Sequence, residues 1–223
     1  MGSANITWSY SSLSLFQQCP KKYYHLRVVK DVVEPSTEAL SYGTKVHEAA
    51  ENFIKLGTPL PPEYSFMQPS LDSLNKLSGE KLCEYRMGLT KNLEPCDFFS
   101  KDVWWRGVAD LVVKGEGKAW LVDYKTGKSS RYADTKQLEI LSLAMFKHFP
   151  EIKRIKAGLL FVVANDFVKV DYEGDKPDAW VRWLEETSQL DMAYENGVWN
   201  AKPNFSCRNF CAVTSCVHNG KNH

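Results

Sequence analysis

The chain has 223 residues, 43% of them hydrophobic and 13% aromatic, enough apolar material to bury one substantial core and to exclude a disordered tail. A formal net charge of +1 is not the basic excess of a protein that coats nucleic acid, so phosphate contacts would have to come from local clusters. No stretch approaches the roughly 18 apolar residues of a membrane span, and no basic-then-apolar signal pattern opens the chain, so a cytoplasmic protein is expected.

The opening Met-Gly-Ser has the look of a cloning remnant and is set aside. SSLSLFQQ at 11–18 predicts a short helix, with a serine to cap it and Leu13, Leu15 and Phe16 to pack. Cys19-Pro20 ends it, and KKYYHLRVV beyond reads as either helix or strand. Residues 41–56 predict a longer amphipathic helix, with Val46, Ala49, Ala50, Phe53 and Ile54 at helical spacing and Gly57 as its stop. His47 and Glu48 sit beside that stripe. Pro59, Pro61, Pro62 and Pro69 make 57–70 a loop, and 71–89 reads as another helix. Three strands follow, at 94–100, 103–113 and 119–124, with Gly115-Glu116-Gly117 as the hairpin turn between the last two. A helix over 134–149, an apolar strand at 155–164, its hairpin partner at 167–172 and a Trp-rich amphipathic helix at 177–196 complete the pass.

The stretch WLVDYKTG at 120–127 breaks its apolar run with Asp123 and Lys125. Strand alternation puts these two on one face, with Val122 and Tyr124 on the other. With the turn centred between Glu116 and Gly117, residues whose numbers add to 233 face each other, which sets Asp110 opposite Asp123. Two carboxylates facing each other roughly 5 Å apart at Cβ destabilise a passive sheet. A divalent cation removes the conflict: oxygen ligands on a rigid sheet suit Mg²⁺ or Mn²⁺, and a lysine beside them can hold a water or steady charge on a phosphate. The plain alternative is a surface salt bridge of Asp123 with Lys125, Asp110 being solvated separately, as a one-residue bulge in the turn would produce.

Cys207, Cys211 and Cys216 form a compact C-x₃-C-x₄-C, with Cys19 far away at the other end of the chain. Thiolates in this arrangement bind zinc or an iron–sulfur cluster, and either needs a fourth ligand, for which Cys19 is the natural candidate and His218 an alternative on zinc. Packing as small buried hydrophobes is the third reading. Lys21, Lys22 and Arg27 near Cys19, and Lys128 and Arg131 after the lysine strand, are candidate phosphate contacts as well as ordinary solvated charges. Of the tryptophans, Trp104 is the best placed by simple alternation to border the site and stack on a base, core packing being the usual fate of the others.

RGVADLVV followed by WLVDYKTG resembles the PD-(D/E)XK nuclease superfamily, in particular its RecB-like branch, including the small nucleases of phage recombination and CRISPR adaptation. Other stations of that branch stand in order: Gly43-Thr44-Lys45-Val46-His47-Glu48 resembles its helical histidine, Gln137 its glutamine after the lysine strand, and SYSSLSLFQQCPKKYYHL its opening Cys-Pro segment. The resemblance implies an α/β fold with a restriction-endonuclease-like core, a mixed sheet flanked by helices. It implies that His47, Asp110, Asp123 and the main-chain carbonyl of Tyr124 hold Mg²⁺ or Mn²⁺, that Lys125 orients the attacking water and steadies the phosphate charge, and that Gln137 positions the nucleophile or the DNA backbone. It implies a [4Fe–4S] cluster on Cys19, Cys207, Cys211 and Cys216, although the branch more often spaces its triplet two and five, where this chain has three and four. Where the branch often has a tyrosine four residues after the glutamine, this chain has Leu141.

The expectation is therefore one nuclease domain over 1–223, its clasp formed by about 11–30 and 200–220, hydrolysing single-stranded DNA or duplex ends. No P-loop is present, so unwinding would fall to a partner such as a helicase, with a recombinase or annealing protein as further partners. The rival from another class is a non-catalytic DNA-binding or assembly module on the same scaffold, which the intact Asp110, Asp123 and Lys125 argue against.

Overall fold

Ser9 and Ser12 accept each other's backbone N–H groups and so start helix α1 (Tyr10–Gln18) in the computed structural model, which describes residues 6–222. Met1-Gly2-Ser3 lies outside those residues. Cys19 is extended and caps α2 (Pro20–Tyr23), after which Tyr24–Val29 continues as a π-helical turn. The ambiguous KKYYHLRVV is thus helical.

Thr37 caps α3 (Glu38–Leu56), which buries Val46, Ala50 and Ile54 and ends at a left-handed Gly57. A 3₁₀ turn at Pro62–Met67 leads into α4 (Gln68–Asn75), so the proline-rich loop is shorter than expected. The helix expected over 71–89 is not there beyond Asn75: Glu80–Leu89 is a strand, β1. Gly79 makes the break. It stands at φ +138, and a Cβ on it would lie 2.6 Å from the Lys114 carbonyl oxygen, so only glycine lets the chain pass. The strand expected over 94–100 is reduced to β2 (Pro95–Cys96).

From there the expected order holds, with β3 (Trp105–Lys114), β4 (Lys118–Lys125), α5 (Lys136–His148), β5 (Arg154–Phe161), β6 (Asp166–Glu173), α6 (Pro177–Asn196) and the short α7 (Ser206–Asn209). The six strands form one mixed sheet in the order β2-β1-β3-β4-β5-β6, antiparallel except for β4 beside β5. That parallel pair is joined through α5, the crossover such a pair requires.

Thr37–Lys176 forms one compact unit, and the described residues up to Ser36 and from Pro177 on form another. In the first, α3 and α4 cover one sheet face, packing Val46, Ala50, Ile54, Leu71 and Leu74 onto Leu111, Val113, Val122, Tyr124 and Leu160. Each such fully buried side chain contributes about 1.5–3 kcal/mol. On the other face lies α5, buried from Leu138 to Phe146 apart from its polar first turn. The second unit has an aromatic core: Trp8 stacks on Trp183, and Tyr23 on Trp199, which also meets Phe16, Tyr24 and Tyr194. Among the described residues no helix is long and apolar enough to cross a membrane.

Candidate active site

The hairpin that carries the central motif has the expected register. Leu111 faces Val122, Val112 faces Leu121 and Lys114 faces Ala119, every pair adding to 233. Gly117 at φ +65 makes the turn, and the Gly115 N–H donates to the Lys118 carbonyl at 2.9 Å. The next pair outward is Asp110 and Asp123. Here the backbone ladder stops, and the Asp110 Oδ2 accepts the Tyr124 N–H at 2.6 Å in its place.

The same point is a break between β1 and β3. Cys83 faces Leu111 and Tyr85 faces Ala109, but Glu84 and Asp110 between them make no ladder pair, and Glu84 has φ +50, left-handed for a non-glycine residue. The buried face changes across the break. Cys83 and Leu111 pack toward α3, whereas Tyr85 packs on Phe149 at 5.4 Å and a Cβ on Gly107 would meet Leu141 of α5 at 2.9 Å. The switch frees the Glu84 and Asp110 carboxylates to turn toward His47 of α3.

His47, Glu84 and Asp110 offer ligand atoms that all lie within 4.8 Å of one another. The His47 Nδ1 is 3.5 Å from Asp110 Oδ2, and its Nε2 is 3.0 Å from the Tyr124 carbonyl oxygen. Asp110 beside it raises the imidazole above its ordinary pKa, outweighing burial, which lowers it. Burial, then the charges of Asp110 and Glu51, raise Glu84. His47 and Glu84 line a cleft of about 870 Å³, together with Gly43, Thr44, Glu48, Glu51 and Arg86.

Asp123 stands beside this group, 4% exposed. Burial, reinforced by the Asp110 charge and opposed by Lys125, pushes it up to about 6. The Lys125 Nζ lies 2.6 Å from Asp123 Oδ2, an ion pair that offsets only part of the cost of burying this carboxylate beside Asp110. Lys125 also donates to the Gln137 Oε1 of α5 at 3.1 Å. Three carboxylates and an imidazole crowd here against one ammonium. A divalent cation fits that donor set, since it would remove the repulsion among them.

The structure brings together His47, Asp110, Asp123, the Tyr124 carbonyl, Lys125 and Gln137, all six expected from sequence, and adds Glu84, which sequence reasoning missed. Its signal was positional: in the β1–β3 register Glu84 is the residue opposite Asp110, but 80–89 had been read as helix. Leu141 is 2% exposed and fills the apolar face of α5. Trp104 does not border the site as a stacking platform; at 2% exposed its ring is packed away, because it lies just before β3, where strand alternation does not govern its direction. Lys128 and Arg131 are exposed after β4, Arg131 lying 5.4 Å over the ring of Tyr132.

In the other unit, Cys19, Cys207, Cys211 and Cys216 are free thiols lining one small cavity with Lys21, Lys22 and His218. The Asn219 amide ties the carbonyls of Cys211 and Val213, holding the C-terminal loop around it. Lys22 pairs with Glu34 at 2.6 Å, and Arg27 is exposed.

The profile of the PD-(D/E)XK nuclease superfamily matches residues 7–78 and 80–216, and the chain belongs to that superfamily. The sheet flanked by helices is accordingly its restriction-endonuclease-like fold. A crystal structure of a candidate exonuclease from Eubacterium rectale is similar at a TM-score of 0.53 and 10% identity, covering 96% of this chain and 90% of that one. The crystal structure of SSO0001 is similar at a TM-score of 0.46 and 13% identity, over 96% and 87% of the two chains. No curated protein matches.

Proposed function

We propose that the protein is a metal-dependent DNA exonuclease that hydrolyses phosphodiester bonds of single-stranded DNA or duplex ends, its two units acting as one nuclease domain. The observation that carries this reading is Asp123: a carboxylate 4% exposed, next to the Asp110 carboxylate and within 2.6 Å of the Lys125 ammonium. A sheet has no structural use for such a pair, whereas a site that cleaves phosphodiesters does.

Mg²⁺ or Mn²⁺ bound by His47, Glu84, Asp110, Asp123 and the Tyr124 carbonyl would supply Lewis acidity and an acidified water. An imidazole among the ligands is compatible with good Mn²⁺ support. The Lys125 ammonium, held between Asp123 and Gln137, faces the scissile phosphate and neutralises the charge that grows on it as the bond breaks. Gln137 spends its Oε1 on Lys125, so its amide N–H groups are left to hold the nucleophile or the DNA backbone. The Asp110 Oδ2, by accepting the Tyr124 N–H, fixes the β4 backbone on which both Asp123 and Lys125 sit. The chain carries no unwinding motor motif, and a helicase, recombinase or annealing partner would supply the opened strand.

A [4Fe–4S] cluster on Cys19, Cys207, Cys211 and Cys216 accounts for four free thiols around one cavity. Zinc on the same thiols, with His218 as an alternative fourth ligand, is the second reading. An anaerobic preparation should be brown; a colourless one with stoichiometric zinc overturns the cluster.

The test of the activity is digestion of end-labelled single- and double-stranded DNA with Mn²⁺, with Asp123→Ala and Lys125→Ala beside the wild type. Loss of product in both variants is expected. Equal degradation by all three proteins ends the catalytic assignment and leaves the binding-module reading.

A further inference from the structure

The face switch at Glu84 and Asp110 sends two arginines out beside the cleft. Arg86 lies two residues along β1 from Glu84, and Arg106 four residues along β3 from Asp110, or about 7 and 14 Å at the rise of a strand. Their pairings are Arg86 with Val108 and Gly88 with Arg106, so the two side chains are diagonal neighbours on one face. Arg86 lines the same cleft as His47 and Glu84.

Both arginines converge on the segment between β2 and β3. The Arg86 guanidinium lies 5.6 Å from the Phe98 ring and 5.7 Å from that of Phe99, and the Arg106 guanidinium 5.3 Å from Phe98. The segment is fixed: the Asp97 Oδ1 accepts the Phe99 N–H at 2.8 Å, and the two phenylalanine rings meet edge to face at 5.0 Å. Yet Phe99 is 69% exposed. A large apolar ring exposed to water beside a guanidinium, with a second guanidinium on the neighbouring Phe98, invites a flat π-face. Neither guanidinium, among the described residues, is within ion-pair distance of a carboxylate, and stacking on a ring leaves the N–H fork of each arginine free. Arg86 feels the Glu84 charge from the site, and the outward N–H groups of both guanidiniums can still take an anion.

We propose that Phe99 with Phe98, Arg86 and Arg106 forms a binding platform for single-stranded DNA, Phe99 stacking on an unpaired base and the arginines gripping the phosphates on either side. The platform presents the strand to Glu84 and Asp110, midway along β1 and β3. A duplex is not accommodated in the same way, because its bases have no free face to offer. The proposal rests on the nuclease reading for its substrate and adds the residues that select the single strand.

The test measures equilibrium binding of a fluorescein-labelled oligonucleotide to the full-length Lys125→Ala protein, which leaves the probe uncut. Phe99→Ala should weaken binding of the single strand about tenfold, and Phe99→Trp should restore it. An abasic strand should bind more weakly from the outset and be insensitive to Phe99→Ala, and a blunt duplex should be insensitive too. Arg86→Ala and Arg106→Ala should each lower the slope of log affinity against log salt by about 0.7. All three side chains are exposed, so melting temperatures should not move. Unchanged single-strand binding in Phe99→Ala, an equal loss on duplex, or no single-strand binding by the parent overturns the proposal. Digestion by the same variants on a Lys125 background separates the two ideas: a raised KM with kcat retained supports both, while intact platform effects in a protein that cuts no DNA would sink only the catalytic reading.

Discussion

The two units solve opposite problems. In Thr37–Lys176 the candidate site is mounted on β4, whose backbone pairing with β5 runs through Asp123 and Lys125 and does not use their side chains, so those residues are free to be poor for stability. In the other unit the cysteine segments have little regular structure between Trp199 and the end, only the four-residue α7 and a closing 3₁₀ turn, and side chains do the holding. The difference separates functional residues that the fold tolerates from residues on which the local fold depends.

The sharpest way to break that contrast is Asp123→Asn. DNA cleavage should fall by at least about 10²-fold, while the metal-free protein gains about 1–3 kcal/mol in denaturant unfolding, because a buried charge beside Asp110 is removed. Lost stability would place Asp123 among the structural residues. On the cluster proposal, Cys19→Ser or Cys216→Ser should act the other way, giving a colourless preparation and destabilising the unit that holds them by several kcal/mol, on the order of losing a metal staple. Urea midpoints read with and without an iron chelator check this.

Glu84→Gln comes next. If Glu84 is a ligand, the Mn²⁺ concentration for half-maximal cleavage should rise about tenfold with folding unaltered; an unchanged requirement returns Glu84 to the role of a strained bystander. Gly107→Ala should destabilise by about 1–3 kcal/mol, since its Cβ would lie 2.6 Å from the Trp105 ring and 2.9 Å from Leu141. Smallest is Gly117→Ala, about 1 kcal/mol, because its Cβ would meet nothing within 4 Å and only the φ of +65 is strained.

The parts of the site legible in the sequence are those governed by local rules. Gly115-Glu116-Gly117 sets the hairpin register, and α6 begins and ends where its proline and its periodicity say. What escaped detection depended on pairing at a distance. Glu84, left-handed in the middle of β1, spoils the period of two that would have marked 80–89 as a strand, and with the strand went the partner of Asp110. Trp104 falls one residue before β3, so the alternation that sets it beside Asp110 does not reach it. Leu141 shows the converse: its apolar face was readable, and the packing against Gly107 leaves no room for a phenol.

The parallel pairing of β4 with β5 has a consequence for synthesis. The unit with the nuclease residues is contiguous and closes at Lys176, but the unit with the cysteines waits for the chain beyond Pro177. Cys19 leaves the ribosome early and remains a lone thiol while the whole sheet, with its slow crossover, is made. A cluster of the proposed kind would be completed only after the chain beyond Pro177 is made, and a stalled product would carry a finished sheet and an unprotected Cys19 thiol, open to oxidation.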